Sequence, residues 1–318
     1  MRNFRNIFVL GGTGYIGSHL VSHLAADRNV KLSLLLHRSP PLPSWPDRIR
    51  YVYGSLTDRP WRSWKSHEIP DLLFHFARIP GKRKIGRTVA AWQSQRINQD
   101  LVDWLRTQNQ PPLLVLIAGT LAYGSSGDEW IDENSPLLPI GYARDYARGE
   151  APIVAALSTG LPIMVLRAPW VYGSGSWFLR FFYQPIVERR VVPLYGHGQQ
   201  WMSFIHVRDC ARLILYFAQN RSLGSTYNLF IGSPCQQKDF VALLARKLAL
   251  PIARVSFVQL AARHGWAAAE ALTFSCRLKR SPADLLAGFQ SLFPSLESGL
   301  YDLLSDLSVA AGSATFRR

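Results

Sequence analysis

Short apolar runs alternate with helical patterns along the first half of the chain. Ile7–Leu10 predicts a first strand, and the periodic pattern of Ser18–Ala26 predicts a helix directly after a glycine-rich turn. A chain that alternates strands and helices in this way builds a parallel sheet from βαβ units. We therefore expect an α/β protein with a doubly wound parallel sheet. The other predicted strands are Lys31–Leu36, Leu72–Phe76, Leu113–Ile117 and Met164–Arg167.

Composition supports a globular protein with a substantial core. Hydrophobic residues make up 48% of the 318 residues and charged residues 18%, which argues against disorder. No apolar stretch is long enough for a membrane span. Cys210, Cys235 and Cys276 are few, widely spaced and odd in number, as expected of free thiols in a reducing cytoplasm. We expect a cytoplasmic protein without membrane contact.

The formal net charge of +15 is the one unusual feature of the composition. Basic proteins attract anions, so nucleic acid, an anionic cofactor or an anionic substrate would each fit this charge. The positive residues are scattered along the chain, however, as in an ordinary soluble basic surface. We expect a small-molecule substrate and no nucleic acid, and the sequence leaves a homodimer open.

The segment GGTGYIG at residues 11–17 follows a predicted strand and opens a predicted helix. Gly11 permits a tight turn, Gly14 lets the backbone approach a pyrophosphate, and Gly17 allows close contact between helix and strand. The N–H groups of the helix N-terminus then face the phosphates. This context makes the motif a specific signal for a dinucleotide site. The same turn contributes Thr13, Tyr15 and Ile16 to the predicted site.

Further segments occur in the order found in one enzyme family. With the GxxGxxG spacing of the turn, they resemble the extended short-chain dehydrogenase/reductase family, in its epimerase/dehydratase branch. The resemblance runs over most of the chain and implies a Rossmann-type fold and an NAD(P)-dependent enzyme. The matching segments are LFHFA (73–77), LAYG (121–124), LRAPWVYGSG (166–175), FIHVRDCA (204–211) and TYNL (226–229).

The resemblance implies further cofactor contacts. It assigns Phe76, Ala77, Asn98 and Pro169 to the cofactor site. Members that prefer NAD have an acidic residue at the end of the second strand, where this chain has His37-Arg38. Because a cation there accommodates a 2′-phosphate, we expect NADP(H) to be favoured over NAD(H). Separately, Ser55 stands where the family often has an aspartate that contacts adenine.

The resemblance also implies the catalytic residues. In the family a tyrosine exchanges a proton with the substrate oxygen, and a lysine four residues later supports it from the same helix face. Tyr142 matches the tyrosine and is the expected proton donor, whereas Tyr146 occupies the lysine position and cannot supply its charge. A register with Tyr146 as the donor would have Glu150 four residues later, and a carboxylate would raise the pKa of that phenol.

The family's Ser/Thr helper is altered as well. Its position is Gly119, with Thr120 immediately after it. Adjacent strand residues face opposite sides of a sheet. Thr120 can therefore replace the helper only if the strand has ended or bulged at that point.

The second half of the chain bears on the substrate. The segment Gly196–Phe204 resembles a family element whose arginine holds a substrate diphosphate, but Met202 stands at the arginine position and cannot bind phosphate. The aromatic residues nearby form either an apolar pocket or ordinary core. No residue pair has metal-ligand spacing, so no metal is expected. The predicted substrate-binding residues are Arg78, Tyr123, Trp170, Trp177, Trp201 and Met202.

The sequence predicts two domains and one main function. We assign residues 1–173 and about 204–232 to an NAD(P)-binding Rossmann domain, and about 174–203 and 233–318 to a smaller C-terminal substrate domain. We expect an NADP(H)-dependent oxidoreductase, a carbonyl reductase acting on a small, non-nucleotide, rather apolar substrate in secondary metabolism. The alternatives are a nucleotide-sugar epimerase or dehydratase, a non-redox cyclase or dehydratase on the same fold, and a cofactor-sensing binding protein.

Overall fold

A computed structural model describes residues 2–81 and 83–310. These residues fall into two compact units. The first contains the described parts of Met1–Gly119, Tyr142–Ala168 and Cys210–Leu229, and the second those of Thr120–Gly141, Pro169–Asp209 and Phe230–Arg318. The structure thus groups residues 120–141 with the C-terminal half. The assignment of cofactor and substrate to the two domains stays a prediction.

The first unit is built on a seven-stranded sheet with the order β12-β7-β5-β4-β1-β2-β3. All neighbouring strands are parallel. The chain runs outward from β1 in one direction and then crosses over to extend the sheet in the other. This arrangement confirms the predicted Rossmann-type, doubly wound α/β fold. Its strands are β1 (Asn6–Leu10), β2 (Lys31–Leu36), β3 (Arg50–Tyr53), β4 (Leu72–His75), β5 (Leu113–Gly119), β7 (Ile163–Ala168) and β12 (Ser225–Asn228).

The central strands of this sheet are buried along their whole length. β4 and β7 have no accessible residue, and β5 becomes partly accessible only at its last residue. Parallel strands that are covered on both faces are encoded by continuous apolar runs, which is why the sequence predicted them. β3 and β12 were missed, because these edge strands are short and only partly buried. The helices of this unit are α1 (Tyr15–Leu24), α2 (Arg83–Thr107), α3 (Ala143–Ala155) and most of α5 (Val207–Asn220).

The second unit has an aromatic-rich core. Phe178, Phe182 and Phe240 are fully buried in it, together with Leu300 and Leu303. Its helices are α4 (Gln184–Arg189), α6 (Gln237–Leu248), α7 (Phe257–His264), α8 (Trp266–Thr273) and α9 (Leu296–Ala310). Its strands pair only in twos and are β6 (Trp130–Ile131), β8 (Trp170–Tyr172), β9 (Val192–Tyr195), β10 (Trp201–Met202), β11 (Phe204–His206), β13 (Cys235–Gln236), β14 (Ile252–Val255) and β15 (Arg277–Leu278).

A smaller core explains why residues 120–141 belong to the second unit. Tyr123 and Ile131 are buried there against Phe230, Phe274 and Leu278. Over the described part of the chain, every helix is too short or too polar to cross a membrane. The expected cytoplasmic location stays a prediction.

Candidate active site

The glycine turn joins β1 to α1 in the first unit. Gly11 has φ +81°, and a Cβ at this position would lie 2.7 Å from the backbone N of Ala77. Gly14 is the N-cap of α1 and donates from its backbone N to Gly11 O at 3.0 Å. A Cβ at Gly17 would collide with Gly11 O. The turn therefore leaves no room for a side chain at Gly11 or Gly17. The binding of a dinucleotide pyrophosphate at the N-terminus of α1 stays a prediction.

The remaining residues predicted at the cofactor fall into two groups. Thr13, Tyr15 and Ile16 lie in the turn itself, and the backbone of Phe76 and Ala77 closes against Gly11 after the end of β4. These positions are contiguous along the edge where the strands β1 and β4 end. The other residues are His37 and Arg38, which lie exposed directly after β2, and Pro169, which follows β7 and belongs to the second unit.

Asn98 is tied to protein groups rather than open to the edge of the sheet. Its Nδ2 donates to Gly149 O at 2.7 Å, and its Oδ1 accepts from His75 Nε2 at 2.9 Å. Burial lowers the pKa of His75 to about 4, so the imidazole is neutral and carries its proton on Nε2. Asn98 thus connects α2 to α3 and to β4. Its predicted contact with the cofactor stays a prediction.

Sequence reasoning missed a carboxylate close to Ser55. The backbone N of Ser55 donates to Asp58 Oδ2 at 2.7 Å, which closes a short capping turn after β3. The spacing S-x-x-D is the signal that could have revealed this turn. Asp58 is exposed at the same edge of the sheet and is the nearest acidic side chain in sequence to the position of the missing family aspartate.

Tyr142 and Tyr146 lie together at the start of α3. Tyr142 is the N-cap residue, and its ring centre lies 5.5 Å from that of Tyr146 with the two planes nearly perpendicular. The spacing of four residues therefore puts both rings on one side of the helix, as predicted. Their catalytic roles stay predictions.

A cation, Arg78, lies against Tyr146, the residue at the family's lysine position. The Cζ of Arg78, three residues beyond the end of β4, lies 4.3 Å from the centre of the Tyr146 ring. The same guanidinium lies 3.8 Å from Glu150 Oε1, and Arg167 Nη1 lies 3.5 Å from Glu150 Oε2. Burial raises the pKa of Glu150, and the two guanidiniums oppose that rise. We call Arg78, Tyr146, Glu150 and Arg167 the arginine cluster.

A cavity of about 280 Å³ adjoins the arginine cluster within the first unit. Its wall includes Arg78, Tyr146 and Glu150, together with His75 and Asn98. The Nδ1 of His75 is buried and has no hydrogen-bond partner among the described residues. A cavity with unsatisfied polar walls can hold water or a polar ligand.

The strand has ended at Thr120, which is the condition under which this residue can replace the family's Ser/Thr helper. β5 ends at Gly119, and a 3₁₀ turn begins at Thr120, so the alternation of strand faces no longer applies. Thr120 is buried in the second unit, and its hydroxyl hydrogen-bonds the Cys276 thiol, whose pKa is raised to about 12 by burial. Its role toward a substrate oxygen stays a prediction.

The predicted substrate-binding residues of the second unit mostly form packing contacts. Met202 has an exposed fraction of 0%, with Gln237 Nε2 at 3.8 Å from its Sδ. Trp201 donates from Nε1 to Asp128 Oδ1 at 2.7 Å, and the Arg277 guanidinium is stacked on the Trp201 ring. The remaining three belong to the two cores: Trp170 and Trp177 pack on the aromatic one, and Tyr123 is buried in the smaller one.

Over the same described residues, no group of three or more His, Cys, Asp or Glu side chains could hold a metal ion. The three cysteines are free thiols, and Cys210 and Cys276 are buried. The described side chains therefore offer no clustered metal ligands.

Comparison with known proteins identifies the family. A model of the NAD dependent epimerase/dehydratase family matches residues 7–230. The chain belongs to this family. An uncharacterized UDP-glucose epimerase of Bacillus subtilis (strain 168) is 25% identical over 242 residues, covering 70% of this chain and 76% of that protein. An epimerase family protein of Staphylococcus aureus (strain MRSA252) is 32% identical over 257 residues, covering 78% of this chain and 82% of that protein.

Solved structures share the same fold. A dTDP-glucose 4,6-dehydratase of Streptomyces venezuelae, with NAD and TYD bound, matches with a TM-score of 0.76 and 21% identity, covering 96% of this chain and 98% of that one. A human epimerase family protein solved with NADPH matches with a TM-score of 0.74 and 22% identity, covering 94% and 98%.

Membership in the NAD dependent epimerase/dehydratase family confirms the resemblance seen in the sequence. The protein is an NAD(P)-dependent enzyme of the oxidoreductase or epimerase type. Its relatives favour the epimerase/dehydratase alternative over a carbonyl reductase for an apolar substrate.

Proposed function

We propose that this protein catalyses an NAD(P)-dependent epimerase/dehydratase reaction on an anionic sugar derivative, by class a nucleotide sugar. The observation that carries the proposal is Tyr142 at the start of α3, in the same unit as a glycine turn with no room for a side chain at Gly11 or Gly17. A dinucleotide cradle and a phenol for proton transfer are the two parts that this chemistry requires.

The chemistry assigns a proton to Tyr142. When bound, a nicotinamide dinucleotide supplies the acceptor and donor of a hydride. Tyr142 would take the O–H proton of a substrate alcohol as the C–H bond of the same carbon breaks and a carbonyl forms. Return of the proton from Tyr142, with the C–H bond remade on the other face, gives the epimer. Loss of water from the two neighbouring carbons while the carbonyl stands, followed by addition of the hydride to the carbon that lost its hydroxyl and of a proton to the other carbon, gives the keto-deoxy dehydration product.

NADP(H) is the favoured cofactor within this proposal. Arg38 is exposed directly after β2, at the position where NAD-preferring members carry an acidic residue. A guanidinium can form two hydrogen bonds with a 2′-phosphate.

Two cavities of the second unit are lined by arginines, which supports an anionic substrate. The loop Gly196–Gln200 lines a cavity of about 630 Å³, and Arg254 of β14 lines the same cavity. Arg254 also borders an adjoining cavity of about 540 Å³, together with Arg189 and Arg263. Met202 carries no charge and is buried, whereas Arg254 lines the same cavity as this loop. We propose Arg254 as a contact for the substrate diphosphate in place of the missing arginine.

A homodimer is part of the proposal. Helix α2 exposes Ile85, Val89 and Trp92, with exposed fractions of 81%, 52% and 51%. Residues at spacings of four and seven lie on one side of a helix. A stripe of large apolar side chains of this kind is typical of a protein contact.

The experiment is a product assay with a panel of UDP- and dTDP-sugars and either cofactor, followed by NMR in deuterated water. We expect an epimer or a keto-deoxy product with no net consumption of cofactor, and loss of this product with Tyr142→Phe. Stoichiometric consumption of NADPH with simple carbonyls, and no change in any sugar, would favour the carbonyl reductase instead. Product formation that Tyr142→Phe leaves unchanged would favour non-redox chemistry.

A further inference from the structure

Tyr146 stands where the epimerase/dehydratase resemblance expects a lysine, and a phenol carries no positive charge. We infer that Arg78 supplies this charge from the end of β4, and that the ring of Tyr146 is the platform on which its guanidinium rests. This inference rests on the proposed function, because it assigns the charge to the site that holds Tyr142 and the cofactor.

The backbone brings Arg78 to the correct edge. Ala77, the preceding residue, packs so closely on the glycine turn that a Cβ at Gly11 would lie 2.7 Å from its N atom. Arg78 therefore leaves the sheet beside the dinucleotide cradle. Its contact with Tyr146 joins residues that are far apart in sequence, which explains why no spacing rule revealed it.

Two contacts orient the guanidinium. Its Cζ lies 4.3 Å from the centre of the Tyr146 ring, within the range of a cation–π interaction. Glu150 Oε1 lies 3.8 Å from Nη2, and Glu150 is itself held by the buried Arg167, which also donates to Gly119 O at 3.3 Å. The ring and the carboxylate fix the position of the charge. Because the Glu150 contact is longer than a hydrogen bond, the N–H groups remain able to donate toward a ligand.

The charge is close enough to act on Tyr142. The Tyr142 ring centre lies 5.5 Å from that of Tyr146, so the guanidinium carbon lies no more than about 10 Å from it. This separation does not exceed the screening length of about 10 Å at 0.1 M salt. A guanidinium stays protonated throughout the working pH range. Arg78 can therefore stabilise negative charge on Tyr142, and from its place beside the glycine turn it would also donate to a bound dinucleotide.

The arrangement also explains why the lysine is absent. An aromatic face accepts a stacked guanidinium, whereas a lysine at position 146 would bring a second positive charge against Arg78. The effect of Tyr146→Lys on activity should therefore change sign when Arg78 is removed. A lysine at position 146 should harm the natural protein and help one that lacks Arg78.

The test is a double-mutant cycle of Arg78→Ala and Tyr146→Lys, with Arg148→Ala as the matched control. Arg148 is an exposed arginine of α3 stacked on Trp92, with its Cζ 4.4 Å from that ring, and it lies outside the wall of the cavity beside the cluster. Turnover, the dissociation constant of NADPH from tryptophan fluorescence and the melting temperature are measured for each variant. Arg78→Gln serves in place of Arg78→Ala if the alanine variant does not fold.

We expect Arg78→Ala to lower turnover on the order of 100-fold, by analogy with the loss of one preorganised charge or donor. It should also weaken NADPH several-fold, and Tyr146→Lys in that background should recover most of both losses. Tyr146→Lys alone should lower turnover and NADPH affinity, and Arg148→Ala should leave turnover and NADPH affinity unchanged. Turnover and NADPH affinity of Arg78→Ala equal to those of the natural protein, or a double variant no better than Arg78→Ala, would overturn the inference.

The affinity cycle separates this inference from the proposed function. If no sugar or carbonyl is turned over, the proposed function fails, while the dissociation constants still report whether positions 78 and 146 share one charge at the cofactor. If turnover occurs and needs Tyr142 but the affinity and turnover of Arg78→Ala are unchanged, the proposed function stands and the inference fails.

Discussion

Arg38 is the residue on which the choice between the two cofactors depends. It follows β2 directly and is exposed, so its guanidinium is available to a 2′-phosphate. We predict that Arg38→Ala weakens NADPH by about 1–3 kcal/mol, the value of a charge-assisted hydrogen bond, and leaves NADH nearly unchanged. Fluorescence titration with both cofactors measures this. Arg28→Ala, an exposed arginine between α1 and β2, is the control, and equal losses for NADPH and NADH would remove the argument for a 2′-phosphate site.

Arg254 is the residue that tests whether the substrate is anionic. It lines the cavity formed by the loop Gly196–Gln200, whereas Met202 of the neighbouring strand is buried. We predict that Arg254→Ala raises KM for a nucleotide sugar roughly tenfold, as expected for loss of one charged contact, with little change in NADPH affinity. Steady-state kinetics measure KM, and Arg246→Ala on α6 is the control. An unchanged KM would exclude Arg254 as a diphosphate contact.

Hydrogen bonds join three elements, β4, α2 and α3, since His75 is bonded to Asn98 and Asn98 to Gly149. Burial lowers the pKa of His75 from 6.5 to about 4, so the unfolded chain binds a proton more readily than the folded one. His75 therefore contributes no pH penalty above pH 6.5, and stability falls as the pH drops from 6.5 toward 4. The expected loss is roughly 3 kcal/mol for a shift of this size.

The measurement for this junction is the free energy of unfolding in urea at pH 7.5, 5.5 and 4.5, for the natural protein and for His75→Gln. Glutamine cannot titrate, yet its amide can donate to Asn98 Oδ1. We expect the stability of His75→Gln to fall less steeply with decreasing pH, with carboxylates giving a common background in both proteins. Parallel curves would show that His75 does not take part in the acid sensitivity.

The exposed stripe of Ile85, Val89 and Trp92 on α2 is the proposed contact between two copies of the protein. We predict that Val89→Glu converts a dimer to a monomer, because a carboxylate in an apolar contact carries a large desolvation cost. Light scattering after size exclusion measures the mass. Val258→Glu is the control, since Val258 on α7 has an exposed fraction of 75% and lies outside the stripe. A natural protein that is monomeric at all concentrations would contradict the homodimer.

Several strands and the glycine turn could be predicted from the sequence alone, because short stretches of chain encode them. The continuous apolar runs of β4, β5 and β7 were visible because strands buried on both faces need no alternation. The glycine turn was equally clear, since only glycine allows the positive φ at Gly11 and the contact of Gly17 with Gly11 O. Both signals lie within a few residues of chain. The short edge strands β3 and β12 gave no such signal.

Tertiary structure alone decided the surroundings of the predicted catalytic residues. The sequence showed that Tyr146 lacks a charge, but only the folding of β4 beside α3 brings Arg78 onto its ring. In the same way, the fold turned Asn98 toward His75 and Gly149, and buried Met202 in the core of the second unit. Periodicity and motif spacing describe neighbours along one element. Contacts between residues 78 and 146 depend on how separate elements pack, and that packing is a property of the whole sheet and its helices.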